Sequence, residues 1–491
     1  MRNKWNKILA LALAFMMIFS VVGCQEEAEP TEAPESEPTE AVAPATEEPT
    51  AEQPATEKPT VEEPAKAAVD YDALYAELKG KTDWDAYNFF MDLQNRGLSS
   101  SEILTFFINI PLSDANESIY KVYTEDGLGM FTEDYPHGAT YGDYVFEVGG
   151  GTEIVGPFTG NNEKLPLTDY VPIPAGTVGD PNTTYVIGAQ VGNSRHPWAA
   201  ALADSFLWAG EQYSNVKVVY NEVAADANSY AEIIDSLIAQ DVDVIVVHPA
   251  RVAVGASTAQ KAEEAGIPVV TVDLVTTYQE VTARVAGNFD ANGTQVALKV
   301  IQQLADEGSF DANMVMLRKP LGSTADAIRT GNFLKVLSYF PNIVHLQSYH
   351  DENIRTEALA NVEAALQTYP DIDIIYGSGD HEAIVAYEAS VAANRLNSRE
   401  GGKKIIIPCI DDSAEALSLM KQGAFEVLAP YPPLVADIAM RVAIKIAIGE
   451  EVPQDIVIPP LPVITLDGAP LFGIETMTSE TWDQYSFGKD V

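Results

Sequence analysis

Five polar residues stand where apolar runs end: Arg195, His196, Asp273, Asp380 and Asp411. Carboxylates and a guanidinium drawn to one place offer charge-assisted hydrogen bonds, stronger than neutral ones. Such a set suits a neutral, hydroxyl-rich solute whose groups both donate and accept. The blander alternative for the aspartates is helix capping, common just after strands. Catalytic signals are weak by comparison. No HExxH pair occurs among the six histidines, and His345 and His350 stand five apart around a strand end. There is no G-x-S-x-G elbow, and Gly149-Gly150-Gly151 lacks the lysine of a phosphate-binding loop. No catalytic residue, metal or cofactor is expected.

The elements that would position these residues are regular from Thr183 to about Asp467. "TYVIGAQV", "VKVVYNEV", "VDVIVVHP", "IPVVTVD", "MVMLRK", "NIVHLQSY", "DIDIIYGSG" and "KIIIPCIDD" read as short buried strands. Helical stretches separate them, among them Pro197 to Gln212, Tyr230 to Gln240 and Val252 to Ala265. Apolar strands alternating with helices of about 10–15 residues predict parallel sheets covered on both faces. Right-handed crossovers turn these into doubly wound lobes, which bind ligands beyond the carboxyl ends of their strands. The five polar residues fall at those ends.

The order and spacing of "SRHPWAAALADSF", "YAEIIDSLIAQDVDVIVVHPA", "AEEAGIPVVTVD", "VAGNFDANG", "GSTADAIRTGNF", "YPDIDIIYGSGDHEAIVAYEA" and "CIDDSAEAL" resemble the type I periplasmic sugar-binding proteins of ABC importers, the group typified by ribose-binding protein. The resemblance implies two α/β lobes joined by a three-crossover hinge, with ligand in the cleft. One lobe would be about 183–287 and 431–459, the other about 288–430 and 460–468, so the binding domain is 183–468. His196-Pro197-Trp198 falls where the family has Asn-Pro-Phe, which makes Trp198 the ring that stacks on a sugar face. Asp273 falls on the family's sugar-binding Asp, Arg329 on its cleft Arg, and Asp411 on the Asp of its "GFD" element. Elsewhere the chain departs: Leu274 replaces an Arg, Asn353 an aromatic, Gly379 an Asn and Pro430 a Gln. The implied site is His196, Trp198, Asp273, Arg329, Asn353, Asp380 and Asp411. The implied ligand is a sugar or polyol, and the departures point away from ribose itself.

Around this domain lie simpler segments. Arg2, Lys4 and Lys7 precede an apolar run from Ile8 to Val22, the layout of a secretory signal and shorter than the ~20 residues that span a bilayer. Val21-Val22-Gly23-Cys24 resembles a bacterial lipoprotein box. That resemblance implies removal of residues 1–23 as a signal peptide and a membrane anchor on the lipidated Cys24. Residues 24–69 are nearly all Glu, Pro, Thr and Ala without an aromatic, a disordered and extended acidic tether. Residues 70–182 open with three short helices, one signalled by Ser99 and Glu102 at capping-box spacing, and then become aromatic and glycine-rich, with no assignable role. Residues 469–491 read as a C-terminal tail. The formal charge is −43, about a quarter of it in the tether, which argues against a nucleic-acid partner. Cys409, the second of two cysteines, reads as a small buried hydrophobe.

These readings converge on an extracellular, lipid-anchored protein that delivers its solute to an ABC permease. Two alternatives remain open: presentation of ligand to a membrane sensor kinase or chemoreceptor, and a non-sugar ligand such as a nucleoside or signalling molecule.

Overall fold

The computed structural model describes residues 68–129, 173–192, 197–223, 227–249, 252–273, 280–431, 433, 435–457 and 460–479. Cys24, the acidic tether, the triple glycine, Arg195, His196 and Leu274 lie outside the described residues. The chain divides into Met1–Lys66 and Ala67–Val491, and every described element belongs to the second unit.

Lobe 1 is one parallel sheet. It is built from β1 (Tyr185–Gly192), β2 (Val216–Val223), β3 (Val244–His248), β4 (Val269–Val272), β5 (Ala283–Ala286) and β11 (Asp455–Val457), in the order β11-β5-β4-β3-β1-β2. Strands β3, β4 and β5 are buried along their whole length, as expected of Val-rich runs covered on both faces. The covering helices are α5 (Pro197–Glu211), α6 (Ala227–Ala239), α7 (Val252–Glu264) and α13 (Val435–Ala447). The parallel α/β architecture agrees with the fold class read from the sequence.

Lobe 2 pairs β7 (Ile343–His350), β6 (Ala312–Arg318) and β8 (Ile374–Gly377) in parallel. A second set runs β13 (Thr476–Thr478), β12 (Val463–Thr465), β10 (Val427–Ala429) and β9 (Cys409–Ile410). The run "KIIIPCI" yields a strand of only two residues, because Pro408 has no N–H to give a ladder. Upstream of it, Ile406 bridges to Ile374 and so links the two sets. The β10–β12 pair is antiparallel, since the chain re-enters from lobe 1 in the opposite direction. Helices α8 (Phe289–Asp306), α9 (Thr324–Leu337), α10 (Arg355–Thr368), α11 (Asp380–Ala392) and α12 (Ala414–Lys421) cover the sheet. Side chains of Asn288, Ser323 and Ser413 cap α8, α9 and α12 by accepting from the backbone three residues on. The chain passes between lobes after β5, after β10 and after β11.

Two segments differ from the sequence reading. Residues 469–479, read as the start of a tail, supply β13 and bury Leu471, Phe472 and Ile474. The N-terminal region holds α1 (Tyr71–Leu78), α2 (Asp83–Asp92) and α3 (Ser100–Ile108), the last opened by a complete Ser99–Glu102 capping box, and then α4 (Glu117–Glu125), which the sequence reading lacked. These helices share a core with lobe 2. Phe90 packs edge-on to Phe340 and Phe472, and Phe107 to Phe472, at ring distances of 6.1–6.3 Å. Asn116 caps α4 and donates to the carbonyls of Phe340 and Ile343 at 2.7 and 2.8 Å. Arg318, at the end of β6, pairs with both Asp126 and Asp326. Each phenylalanine buried here contributes about 1.5–3 kcal/mol.

Candidate ligand-binding site

Asp273 and Asp411 occupy matching places in the two lobes. Each follows a buried strand, β4 and β9 respectively. Each backbone N–H extends the ladder to the neighbouring strand, Asp273 to Val285 O at 2.8 Å and Asp411 to Ala429 O at 2.9 Å. Both adopt left-handed backbone, φ 67° and 72°, a conformation that costs roughly 1–2 kcal/mol per residue and that Asp tolerates better than most. The twist turns the two carboxylates out of the sheet at its carboxyl end. Capping does not account for Asp411, because Ser413 caps the helix that follows.

Arg329 lies on α9, set by the Ser323 cap. It grips Asp411 with two nitrogens, Nη2 to Oδ1 at 2.5 Å and Nη1 to Oδ2 at 3.1 Å, and Nη1 also donates to Ser378 O at 3.0 Å. Its Cζ stands 5.1 Å from both the Phe289 and Tyr431 rings, in cation–π range. Burial works against the guanidinium charge, but Asp411 outweighs it and the pKa stays raised.

Tyr431, one residue past the flagged Pro430, joins the two halves. Its hydroxyl donates to Asp273 Oδ1 at 2.8 Å and accepts from Gly287 N at 3.1 Å. Its ring stacks on Phe289 at 4.8 Å and tilts against Trp198 at 5.7 Å. Only glycine fits at 287, because a Cβ there would run into the Tyr431 ring. Burial, then the charge of Asp273, pushes the phenol well above its ordinary pKa, so it remains a donor. Half-buried Trp198 donates Nε1–H to Tyr431 O at 2.8 Å, and its ring is 6.0 Å from that of His248. His248 ends β3 and bonds Asp273 Oδ2 through Nε2 at 2.9 Å. The sequence reading missed both Tyr431 and His248. His248 stood at a strand end in "VIVVHP", a usable signal; Tyr431 lay in a proline-rich link with none.

Trp198, Asp273, Arg329 and Asp411 are thus brought into one continuous set of contacts running from lobe 1 to lobe 2. Asp380, the first residue of α11, is buried beside it. Its pKa rises to about 6, first through burial and then through the charge of Asp411. Asn353 stands apart from the aromatic set, with left-handed backbone at φ 57° and its N–H on Asp351 Oδ1 at 2.8 Å. Burial, then the neighbouring Glu382, raises Asp351 to about 7. Gly379, where the family has Asn, lies under Lys319, and a side chain there would strike the Lys319 ammonium and Glu382. That lysine is a physical reason for the departure. Cys409 is free and buried, and burial raises its thiol pKa. His345 and His350 serve different partners, Ser348 Oγ at 3.0 Å and Lys319 O at 2.9 Å.

Among the described residues, no helix is long and apolar enough to cross a membrane. Comparison with known proteins matches residues 187–451 to the periplasmic binding protein domain. The chain is similar to the ribose import binding protein of Bacillus subtilis (strain 168), 26% identical over 276 residues, covering 56% of this chain and 86% of the relative. It is also similar to the xylitol-binding protein of Mycolicibacterium smegmatis, 27% identical over 269 residues, covering 54% and 73%. Among solved structures, an ABC transporter solute binding protein from Bacillus halodurans with bound myo-inositol superimposes with TM-score 0.53 at 22% identity, covering 59% of this chain and 97% of that one. These relatives are solute-binding proteins, not enzymes. The chain belongs to the periplasmic binding protein domain family and has the fold of its solute-binding relatives.

Proposed function

We propose that this protein is a lipid-anchored extracellular receptor that captures a sugar or polyol between its lobes and delivers it to an ABC permease. The observation that carries the reading is the contact set Trp198–Tyr431–Asp273 with Arg329–Asp411. It joins an aromatic face, two acceptors and one forked donor at the carboxyl ends of strands from both lobes. Polyol hydroxyls can exchange with the Tyr431 hydroxyl on Asp273 and share Asp411 with Arg329, while Trp198 covers an apolar ring face. The relatives named for ribose and xylitol support a ligand among small polyhydroxylated molecules. Asn353 and, outside the described residues, His196 would add polar contacts, and Asp380 a second acceptor beside Asp411. Anchoring rests on the Gly23-Cys24 box after the apolar run, and delivery on kinship with importer receptors.

The test is mass spectrometry of small molecules released on denaturing the purified protein, followed by calorimetry with each candidate. A tightly bound sugar or polyol is the expected result. Release of a nucleoside, or no binding across a panel of pentoses, hexoses, inositols and alditols, would overturn the reading.

A further inference from the structure

The carboxyl end of the lobe 2 sheet carries a second polar group, distinct from the aromatic set. Asp351 follows β7, and His381 and Glu382 lie in the first turn of α11 after β8. Each offers a ligand atom, and these atoms lie within 4.8 Å of one another. His381 Nε2 is 3.9 Å from Asp351 Oδ1.

The carboxylates are costly as they stand. Glu382 is 0% exposed and Asp351 4%. Neither oxygen of Glu382 has a hydrogen-bond partner, and Asp351 Oδ2 has none. The nearest cation to Glu382, Lys319 Nζ, is 3.6 Å from Oε2, beyond hydrogen-bond reach. Buried acceptors left unbonded are expensive, and two adjoining carboxylates add mutual repulsion. The three atoms that converge are one imidazole nitrogen and two carboxylate oxygens. Calcium and magnesium favour oxygen alone, whereas zinc, manganese and cobalt accept this mixed set. Three protein ligands also leave a fourth position open, as in zinc sites that exchange a bound molecule.

We propose that Asp351, His381 and Glu382 form a binding site for a divalent first-row transition metal at the carboxyl end of the lobe 2 sheet. The ion supplies the direct partner that the unbonded carboxylate oxygens lack and takes the imidazole as its nitrogen ligand. Lys319 acts against it as a competing cation. This site adjoins Asn353 and Asp380 of the proposed sugar contacts but shares no ligand atom with them, so its test needs no sugar.

The full-length protein, stripped with chelator and dialysed, is titrated with Zn²⁺, Mn²⁺ and Co²⁺ in separate equilibrium dialyses, and bound metal is counted. The acidic tether takes up cations weakly in parent and variants alike, so the difference between them reads the site. One equivalent of at least one metal should be lost, with affinity falling about tenfold or more, in Glu382→Gln and in Asp351→Asn. Co²⁺ should give a visible ligand-field band that shrinks in His381→Gln, a half-buried position whose change spares the buried acids. Lys319→Met should strengthen metal binding several-fold, which a merely structural role would not produce. Equal binding by parent and all three ligand variants would overturn the site, as would Co²⁺ spectra unchanged by His381→Gln. Should a carboxylate variant fail to fold, the His381→Gln spectrum and the Lys319→Met affinity decide the matter alone.

Discussion

Tyr431 donates its hydroxyl to Asp273 Oδ1 at 2.8 Å across 158 positions of sequence. The same ring stacks on Phe289, carries the Arg329 guanidinium at 5.1 Å and lies tilted against Trp198. One side chain on a link between the lobes therefore holds the proposed ligand residues of both. Replacing Tyr431 with Phe keeps the ring and removes the bond to a buried carboxylate. Hydrogen bonds to charged groups are worth about 1.5–3 kcal/mol, so urea unfolding should show a loss of that size. A loss below about 0.5 kcal/mol would mean that His248 alone satisfies Asp273.

The ligand prediction concerns the two aspartates. Once the ligand is identified, Asp273→Ala and Asp411→Ala should each weaken binding by roughly 2–5 kcal/mol, because each leaves a buried donor stranded. That is about 30-fold to several-thousand-fold in Kd. Exposed Lys421→Ala, on α12, is the control and should change nothing. Calorimetry on thermally intact variants is the measurement, and parental affinity in both aspartate variants would remove the site from this cleft.

Hinge closure is the third expectation. Three passages of chain connect the lobes, and the proposed contacts span them. Saturating ligand should compact the 425-residue unit from Ala67 to Val491 or shift its lobes together in small-angle scattering. An identical profile with and without ligand would show that closure does not accompany binding.

For membrane attachment, Cys24→Ser should abolish incorporation of labelled fatty acid and release the protein into the medium. Persistent labelling of that variant would place any lipid elsewhere.

A pH effect follows from Asp290 on α8. This carboxylate is buried, accepts from Asn332 Nδ2 at 2.8 Å and is raised well above the ordinary range, first by burial, against Lys335 and Asn332 which lower it. A raised acid binds its proton more tightly folded than unfolded. Its contribution to stability is therefore greatest below the unfolded value near pH 3.9 and falls as pH rises toward the folded value. Asp290→Asn keeps the acceptor and removes that dependence. The parent should lose stability relative to the variant as pH rises above about 4, read by urea unfolding at each pH. A constant difference over that window would show that Asp290 stays ionised in the fold.

Much of the architecture was legible along the chain because its signals are local. Val- and Ile-rich runs such as "VDVIVVHP" can be buried on both faces only in a covered parallel sheet, and β3 is buried throughout. Ser99 and Glu102 announced a helix start because a capping box needs only four consecutive residues. Asp273 and Asp411 could be singled out by their place after such runs. Their left-handed backbone could not, since Asp adopts it only where the neighbouring strand takes the N–H and the fold holds the turn. Strand β9 was overestimated, because apolar composition does not reveal that Pro408 lacks the donor a ladder requires.

What the sequence determined by itself is the set of locally encoded elements and the acids at their ends. What the tertiary structure decided is everything that depends on distant partners. Tyr431 becomes central only when the link after β10 lays it over Phe289 and against Gly287, where the absent Cβ leaves room for its ring. Helices α2 and α3 join lobe 2 because Phe90 and Phe107 meet Phe340 and Phe472, residues hundreds of positions away. Asp351 and Glu382 become a strained pair only when β7 and β8, on either side of β6, end at the same edge of the sheet. Hydrophobic periodicity records which face of an element is buried; it carries no record of which other element buries it, and the site is made of those pairings.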